Sequence, residues 1–336
     1  MTVLILTHSR DNECIDNVSR AIEARGGSVF RLDTDRFPTE LLLAARCDPE
    51  PRSVLRLGER ELDVAEVTAL WHRRLSIGGG IPTGMNPQLR GPSVEESRRT
   101  LMGLVGSLTC FTLDPLPRIR HAEHKQLQLR VAHEVGLDIP RTLFSNDPEA
   151  VRAFAAACDG RIVTKMLASF AVQEEGQEKV VFTNPVSPAD LEDLDGLRYC
   201  PMTFQELVDK RLELRVTVVG DRVFSAAIDS QALERSRHDW RREGVALLQD
   251  WQTYELPADV EQSLLALMDR FGTNYGAIDL ILTPDGRHVF LEINPVGEFF
   301  WLERHPGLPI SEAIADVLLG QAFRRQVSGQ KDTLLA

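Results

Sequence analysis

Three polar residues late in the sequence lie within two apolar segments that favour β-strands. Asp279 belongs to the first segment, Glu292 and Asn294 belong to the second, and Asp285-Gly286 separates the two. An Asp-Gly pair between apolar runs predicts a β-hairpin, and a two-residue turn places Asp279 opposite Glu292. Because side chains alternate along a strand, Glu292 and Asn294 share one face. The hairpin therefore brings two carboxylates and one amide together.

Two opposed carboxylates inside apolar strands need a positive partner. Like charges directly opposite are destabilising by up to about 1 kcal/mol even on an exposed sheet, and by more where the dielectric is low. A hard cation with oxygen ligands removes this conflict, and Mg²⁺ shared with a nucleotide phosphate is a common case. A buried acid pair held by arginine or by backbone donors is the structural alternative.

Basic residues at two predicted strand ends are also candidates for binding an anionic ligand. Lys165 closes the β-rich run 161–165, where an unpaired ammonium is costly. A phosphate ligand or a salt bridge would each explain it. Arg73 and Arg74 follow a predicted strand at 67–71, and strand ends commonly carry ligand contacts. Since arginine grips a carboxylate or phosphate through two hydrogen bonds, this pair either contacts substrate or forms ordinary ion pairs.

The start of the chain predicts a parallel α/β unit. Residues 2–7 favour a strand, residues 11–24 a helix and residues 28–32 a second strand. The first strand is not followed by Gly-x-Gly-x-x-Gly, so we expect no dinucleotide site there.

Two further strands have polar groups placed for binding. Residues 203–208 predict a strand whose last residues offer backbone donors and acceptors to a purine edge. Glu213, Arg215 and Thr217 alternate with apolar residues in a hairpin strand, so they share one face. That face either lines a site or is exposed to water.

The composition limits the class of protein. The 336 residues carry a net charge of −12, which argues against a nucleic-acid surface or binding to an anionic membrane. Five scattered cysteines without a Cys-x-x-Cys pair are typical of reduced thiols in a cytoplasm. The first apolar run is too short for a signal peptide, and no segment is long enough to cross a bilayer. We therefore expect a cytoplasmic protein.

The order of these residues resembles that of the ATP-grasp carboxylate–amine ligases. The resemblance covers roughly residues 115 to 320, and residues 1 to 110 match the α/β domain that usually precedes the grasp. The matching residues are Lys125, Lys165, Gln205-Glu206-Leu207-Val208, Glu213, Arg215, Asp279 and Glu292-x-Asn294. Within that superfamily the chain is most similar to the graspetide (microviridin-type) peptide ligases. The motifs that carry this similarity are Trp71-His-Arg-Arg74, His238-Asp-Trp-Arg241 and the segment 291–301.

The resemblance implies a fold of the α/β (α+β) class. The expected architecture is an ATP-grasp fold in which two α+β subdomains clasp ATP, preceded by an N-terminal α/β domain with a parallel sheet. The expected boundaries are 1–114 for the first domain, 115–197 and 198–325 for the two grasp subdomains, and 326–336 for a tail.

The resemblance also implies a role for each matching residue. Residues expected to bind ATP are Lys125 and Lys165 at the phosphates, Gln205, Glu206, Leu207 and Val208 at the purine, and Lys210 and Glu213 near the ribose. The expected Mg²⁺ ligands are Asp279, Glu292 and Asn294. Arg215 is expected to stabilise the transferring phosphoryl group, and Asp239 or alternatively His238 to act as general base. Residues expected to orient substrate carboxylates are Arg73, Arg74 and Arg241.

The implied reaction uses ATP and Mg²⁺ to activate Glu or Asp side chains of a ribosomally made precursor peptide as acyl phosphates. Ser/Thr hydroxyls or a Lys amine then close macrolactones or macrolactams. Two alternatives are a ligase that joins small amino acids or adds glutamate to a terminus, and a nucleotide-binding scaffold without catalysis. The sequence leaves open the peptide, the bond type, the number of rings, the leader-binding surface and the oligomeric state, for which a homodimer is one alternative.

Overall fold

A computed structural model of the chain describes residues 1–167, 171–174, 177–180, 183–230 and 248–325, with the two short segments described by their backbone. His238, Asp239 and Arg241 lie outside the described residues. In the described part of the chain, no helix combines the length and the apolar character required to cross a membrane.

The N-terminal part contains a parallel sheet of four strands, as the sequence predicts. The elements are β1 (Thr2–Thr7), α1 (Cys14–Ala24), β2 (Ser28–Asp33), β3 (Leu41–Arg46), β4 (Arg52–Leu57), β5 (Arg60–Asp63), β6 (Val67–His72), α2 (Pro87–Gly106) and β7 (Phe111–Leu113). The strand order is β2-β1-β6-β7, and β3, β4 and β5 form a separate antiparallel sheet. The crevice between β1 and β6 is a topological switch point, where ligands commonly bind at the carboxyl ends of strands.

The middle of the chain forms a second sheet with the strand order β12-β9-β13-β8. The elements are α3 (Leu116–Glu123), α4 (Lys125–Glu134), β8 (Thr142–Ser145), α5 (Pro148–Ala157), β9 (Ile162–Lys165), β10 (Ala171–Glu174), β11 (Gln177–Val180), β12 (Asn184–Pro185), α6 (Pro188–Glu192) and β13 (Met202–Glu206). β13 pairs with β8 and β9, although it follows the boundary expected at 197/198. The domain boundaries stay predictions.

The last sheet is antiparallel and has the order β16-β15-β14-β17-β18. Its elements are β14 (Leu212–Val219), β15 (Arg222–Ile228), β16 (Gln252–Thr253), α7 (Ala258–Phe271), β17 (Tyr275–Leu282), β18 (His288–Asn294), α8 (Phe300–Arg304) and α9 (Ile310–Leu318). Alternation divides its side chains between two cores. Val216 and Ile278 pack with α4 and α7, whereas Val219 and Ala277 pack with α9 and α1.

The hairpin between β17 and β18 pairs Asp279 with Glu292, as predicted. The two-residue turn behind that prediction is wrong. Thr283 pairs with Arg287 across a three-residue turn that ends at Gly286, whose φ of 90° suits glycine. A bulge then leaves Leu291 as an extra residue in β18 and shifts the register by one. The bulge compensates for the longer turn, so the same two acids face each other.

Candidate active site

The predicted acids and arginine lie side by side on one face of the last sheet. Arg215 in β14 is opposite Asp279 in β17, which is opposite Glu292 in β18. Asn294 follows two residues later on the same strand and pairs with Ala277. Antiparallel pairing of three neighbouring strands therefore brings residues from distant parts of the sequence into one row.

Each of the two carboxylates among the metal-ligand candidates contacts a basic side chain. Arg215 donates from Nη1 to Asp279 Oδ1 at 2.7 Å, and Lys125 Nζ lies 2.9 Å from Glu292 Oε2. The carboxylates keep 31% and 28% of their side-chain surface exposed. The row thus combines the arginine contact of the structural alternative with carboxylates that a cation can reach.

The row lines a cavity of about 330 Å³ between the middle and the last sheets. Val163 and Lys165 of β9 line one side, and Arg215, Asp279 and Glu292 line the other. The further lining residues that the sequence predicted are Gln205, Glu206, Leu207, Val208, Lys210, Glu213 and Asn294. The structure therefore gathers eleven predicted residues around one space, and Lys125 contacts this group through Glu292.

Hydrogen bonds fix the segment predicted to bind the purine. The Gln205 side chain donates to Thr142 Oγ1 at 2.9 Å, and the Glu206 carboxylate accepts from Arg141 Nε at 2.5 Å. The N–H of Glu206 donates to the Arg141 carbonyl, and that of Leu207 to the Arg161 carbonyl. These polar groups have structural partners, so recognition of a base here would depend on the remaining backbone groups of the segment.

Lys210 and Glu213 form a close ion pair, with Lys210 Nζ 2.6 Å from Glu213 Oε1. Both side chains are largely buried, at 8% and 15% exposed. A buried charge is stable only with a partner, and each of these residues provides that partner for the other at the wall of the cavity.

Arg73 and Arg74 lie outside the cavity wall, at the end of β6. Both donate to the carboxylate of Glu298, which does line the cavity. Asp11 lies between them, 3.7 Å from Arg73 Nε and 3.8 Å from Arg74 Nε. Arg73 is buried, whereas Arg74 is 40% exposed in its side chain. The two arginines are therefore not equivalent, and only Arg74 is accessible to a ligand.

Sequence reasoning assigned no role to Glu298, Trp251 and Trp301, which also line the cavity. The two tryptophan rings lie 6.3 Å apart, and Arg215 Cζ lies 5.6 Å from the Trp301 ring centroid. A guanidinium at this distance from an indole gains a cation–π attraction. Glu298 and Trp301 lie just after Asn294 in sequence, and this closeness was the available signal for them.

The donor set fits a hard cation. Asp279, Glu292 and Asn294 supply two carboxylates and an amide oxygen. Mg²⁺ usually takes one or two carboxylates and completes its octahedron with substrate phosphates and water. In the parts of the chain that the structure describes, no group of three or more His, Cys, Asp or Glu side chains forms an alternative metal site.

Two antiparallel sheets that enclose a cavity with this row of residues, preceded by a parallel α/β unit, define an ATP-grasp ligase. Residues 2–120 match the family described as the MvdD pre-ATP grasp domain. Among curated proteins, no sequence matches the chain.

Similar solved structures identify the family within the ATP-grasp ligases. The macrocyclase MdnC from Microcystis aeruginosa MRC, bound with the precursor peptide MdnA, is 50% identical with a TM-score of 0.87, over 95% of this chain and 100% of that one. A RiPP-associated ATP-grasp ligase from Chryseobacterium gregarium, in complex with ADP, a leader and a core peptide, is 38% identical with a TM-score of 0.93, over 97% and 98%. MdnB from the same Microcystis is 41% identical with a TM-score of 0.79, over 95% and 99%.

The chain belongs to the family of these RiPP-associated ATP-grasp ligases, and it is an ATP-dependent ligase. The predicted family and fold class are confirmed.

Proposed function

We propose that the protein is a peptide macrocyclase that closes rings in a ribosomally made precursor peptide, with ATP and Mg²⁺. The row of Arg215, Asp279, Glu292 and Asn294 on the wall of the cavity carries this proposal. The peptide part is supported by MdnC, which is bound with its precursor, and by the Chryseobacterium ligase, which is in complex with ADP and two peptide segments.

A carboxylate must be activated before it forms an ester or amide, because oxide is not a viable leaving group. Transfer of the γ-phosphoryl group of ATP converts the Glu or Asp side chain into an acyl phosphate, and attack by a Ser/Thr hydroxyl or a Lys amine then forms the ring bond and releases phosphate. Asp279, Glu292 and Asn294 would hold Mg²⁺, which would neutralise the charge that spreads over the transferring group.

Different residues of the cavity are proposed to bind the phosphates, to bind the metal and to stabilise the transferring phosphoryl group. Lys165 on the wall and Lys125 beside Glu292 are proposed to hold the phosphates. Asp279, Glu292 and Asn294 hold the metal. Arg215 is buried between Asp279 and Trp301, so its charge is fixed before the reaction starts. Such preorganised charge in a site of low dielectric stabilises a transition state more than a mobile group does.

Purine and ribose binding are proposed at the segment that follows β13. Gln205, Glu206, Leu207 and Val208 surround one end of the cavity, and the pair Lys210–Glu213 lies next to them. Because the Gln205 and Glu206 side chains already have partners, we propose that the backbone of this segment, rather than these side chains, reads the base.

Peptide binding is proposed at Arg74, which is partly exposed beside the Glu298 carboxylate. Arg241, and the general base Asp239 or His238, stay predictions because they lie outside the described residues. We also propose a cytoplasmic location, because five scattered cysteines without a Cys-x-x-Cys pair are typical of reduced thiols.

The reaction can be tested by incubating the protein with ATP, Mg²⁺ and an acidic, hydroxyl-rich peptide encoded beside its gene. Each ring closure lowers the peptide mass by one water, and mild alkaline hydrolysis restores the mass of an ester but not of an amide. An incubation without ATP is the control. ADP release that accompanies the joining of free amino acids, with no change in the peptide, would favour the small-substrate alternative.

Nucleotide binding can be tested with Lys165→Ala. We expect the affinity for ATP to fall about 10- to 100-fold, because a charge-assisted hydrogen bond contributes about 1.5–3 kcal/mol. Isothermal titration calorimetry measures the change. Arg161→Ala is the matched control, because Arg161 precedes the same strand but pairs with the exposed Asp209. Equal ATP affinity in Lys165→Ala and the wild type would remove this role.

A further inference from the structure

A short segment, the 294–298 strap, connects the metal-ligand candidate Asn294 to the cavity residue Glu298. Its backbone contacts Arg215 directly. The carbonyl oxygen of Glu298 accepts from Arg215 Nη2 at 3.0 Å. A Cβ atom at Gly297 would lie 2.7 Å from Arg215 Nη2, so the strap is packed against the guanidinium. Arg215 is therefore held from two sides, by the Asp279 carboxylate and by the strap.

The other side of the strap is held by Arg73, from the parallel sheet. Arg73 Nη1 donates to the carbonyl oxygen of Val296 at 2.8 Å, and Nη2 donates to the Glu298 carboxylate. Asn12, in the loop after β1, donates to the same carboxylate at 2.6 Å. The position of the Glu298 carbonyl, and with it one hydrogen bond of Arg215, thus depends on residues of the first sheet.

Arg73 is buried and therefore cannot contact a ligand. Its relative exposure is 3%, and its charge lies between the carboxylates of Asp11 and Glu298. Arginine suits this place because its planar fork donates in several fixed directions at once, which the single ammonium of lysine cannot do. The substrate contact expected from the sequence is therefore better assigned to Arg74 than to Arg73.

We propose that Arg73 is a positioning residue, which sets the place of the Arg215 guanidinium in the cavity through the 294–298 strap. The proposal rests on the role proposed above for Arg215 and extends the active site to the end of β6. Within the strap, Asn294 Oδ1 accepts from Val296 N at 3.0 Å.

Trp301 provides a readout that needs no substrate, because its ring lies beside Arg215. In protein labelled with 5-fluorotryptophan, the ¹⁹F resonance of Trp301 is assigned with Trp301→Phe. We expect Arg73→Lys to shift this resonance in the same direction as Arg215→Lys. Arg25→Lys is the matched control, since Arg25 also joins the two ends of the chain, through Asp316 and Glu312, but does not touch the strap.

Kinetics test the same coupling during turnover. We expect Arg73→Lys to lower kcat by about 100-fold, the cost of a misplacement of about 1 Å, with KM for ATP unchanged. The double variant Arg73→Lys/Arg215→Lys should be no slower than Arg215→Lys alone, because residues that act through one another are not additive. Effects that multiply would overturn the proposal.

The two measurements separate this proposal from the proposed function. If the wild type closes no ring, the macrocyclase function fails, while the fluorine experiment still decides the positioning role. A Trp301 resonance that Arg215→Lys shifts and Arg73→Lys leaves unchanged would reject positioning. If Arg73→Lys does not fold, Glu298→Gln replaces it, since this variant keeps the Glu298 carbonyl and weakens the ion pair. Its expected shift is smaller and in the same direction.

Discussion

One face of the last sheet has two ends of opposite character. At one end Glu213, Arg215 and Asp279 line a cavity, whereas at the other end Val219 and Tyr275 are buried in the core. Both ends lie on β14 and β17, which pair without interruption from Leu212–Leu282 to Val219–Tyr275. Backbone pairing is the same at both ends, so the difference comes from the elements that cover the face.

Helix α9 covers the apolar end and packs there with α1. The middle sheet faces the polar end and leaves a space between them. Charged groups are stable at the polar end because they keep partners and some water, whereas the apolar end gains its stability from dry packing. A single sheet can therefore serve as both a binding wall and a core when different elements cover its ends.

The largest expected effect is at the polar end, in Glu292→Gln. We expect the variant to fold normally and its turnover to fall by about 10²- to 10³-fold, because one of the proposed Mg²⁺ ligands loses its negative charge. Product formation under limiting Mg²⁺ measures the change. Asp285→Asn is the matched control, since Asp285 belongs to the same hairpin but pairs with Arg287 at the exposed turn. Equal losses in the two variants would indicate damage to the hairpin instead.

Asp114, at the apolar end of the face, has an environment that contrasts with that of Asp279. Asp114 is 2% exposed and accepts hydrogen bonds from the N–H groups of Asn274 and Tyr275, where β17 begins. Burial raises the pKa of Asp114 from 3.8 to about 6, despite these hydrogen bonds. Asp279 in the same strand instead faces the cavity and Arg215. The two aspartates therefore have opposite environments, one a buried acceptor for backbone and one an open group with an ion-pair partner.

This difference predicts a pH dependence of stability. The folded state holds the Asp114 proton to a higher pH than the unfolded state, so it binds more protons between about pH 4 and pH 6. The Asp114 contribution to the free energy of unfolding should therefore fall by about 2–3 kcal/mol as the pH rises through this window. Urea denaturation of the wild type and Asp114→Asn at several pH values isolates the effect. Parallel pH profiles for the two proteins would contradict it.

The smallest expected effect is at the border between the two ends. Thr217 follows Arg215 on the same face and is fully buried, and its hydroxyl has no hydrogen-bond partner within the described residues. Thr217→Val should raise the free energy of unfolding by about 1 kcal/mol, because an unsatisfied buried hydroxyl is removed. Thermal denaturation and ADP formation should show a stabler protein with unchanged turnover. A loss of stability would mean that the hydroxyl has a partner.

Local pattern predicted much of the fold and of the cavity wall. The parallel sheet at the start of the chain follows from the β-α-β order of its elements. The hairpin and β14 follow from apolar segments and from the alternation of apolar and polar residues along a strand. The pairing of Asp279 with Glu292 was correct, but the turn that justified it was wrong. The three-residue turn and the bulge at Leu291 shift the register in opposite directions, and local sequence does not reveal a compensation that packing imposes.

The sequence by itself determined which polar residues line the cavity: the acids of the hairpin, Lys165 and Arg215 are specified by type and by strand alternation. Only the tertiary structure decided the different places of Arg73 and Arg74. These two neighbours look alike in sequence, yet one is buried under the strap and the other is partly exposed. The partners of Arg73, Asp11 and Glu298, lie far from it and from each other along the chain. The contact with Asp11 arises because β1 and β6 pair in one sheet, and the contact with Glu298 arises because the first sheet packs against the last. No local pattern encodes either contact.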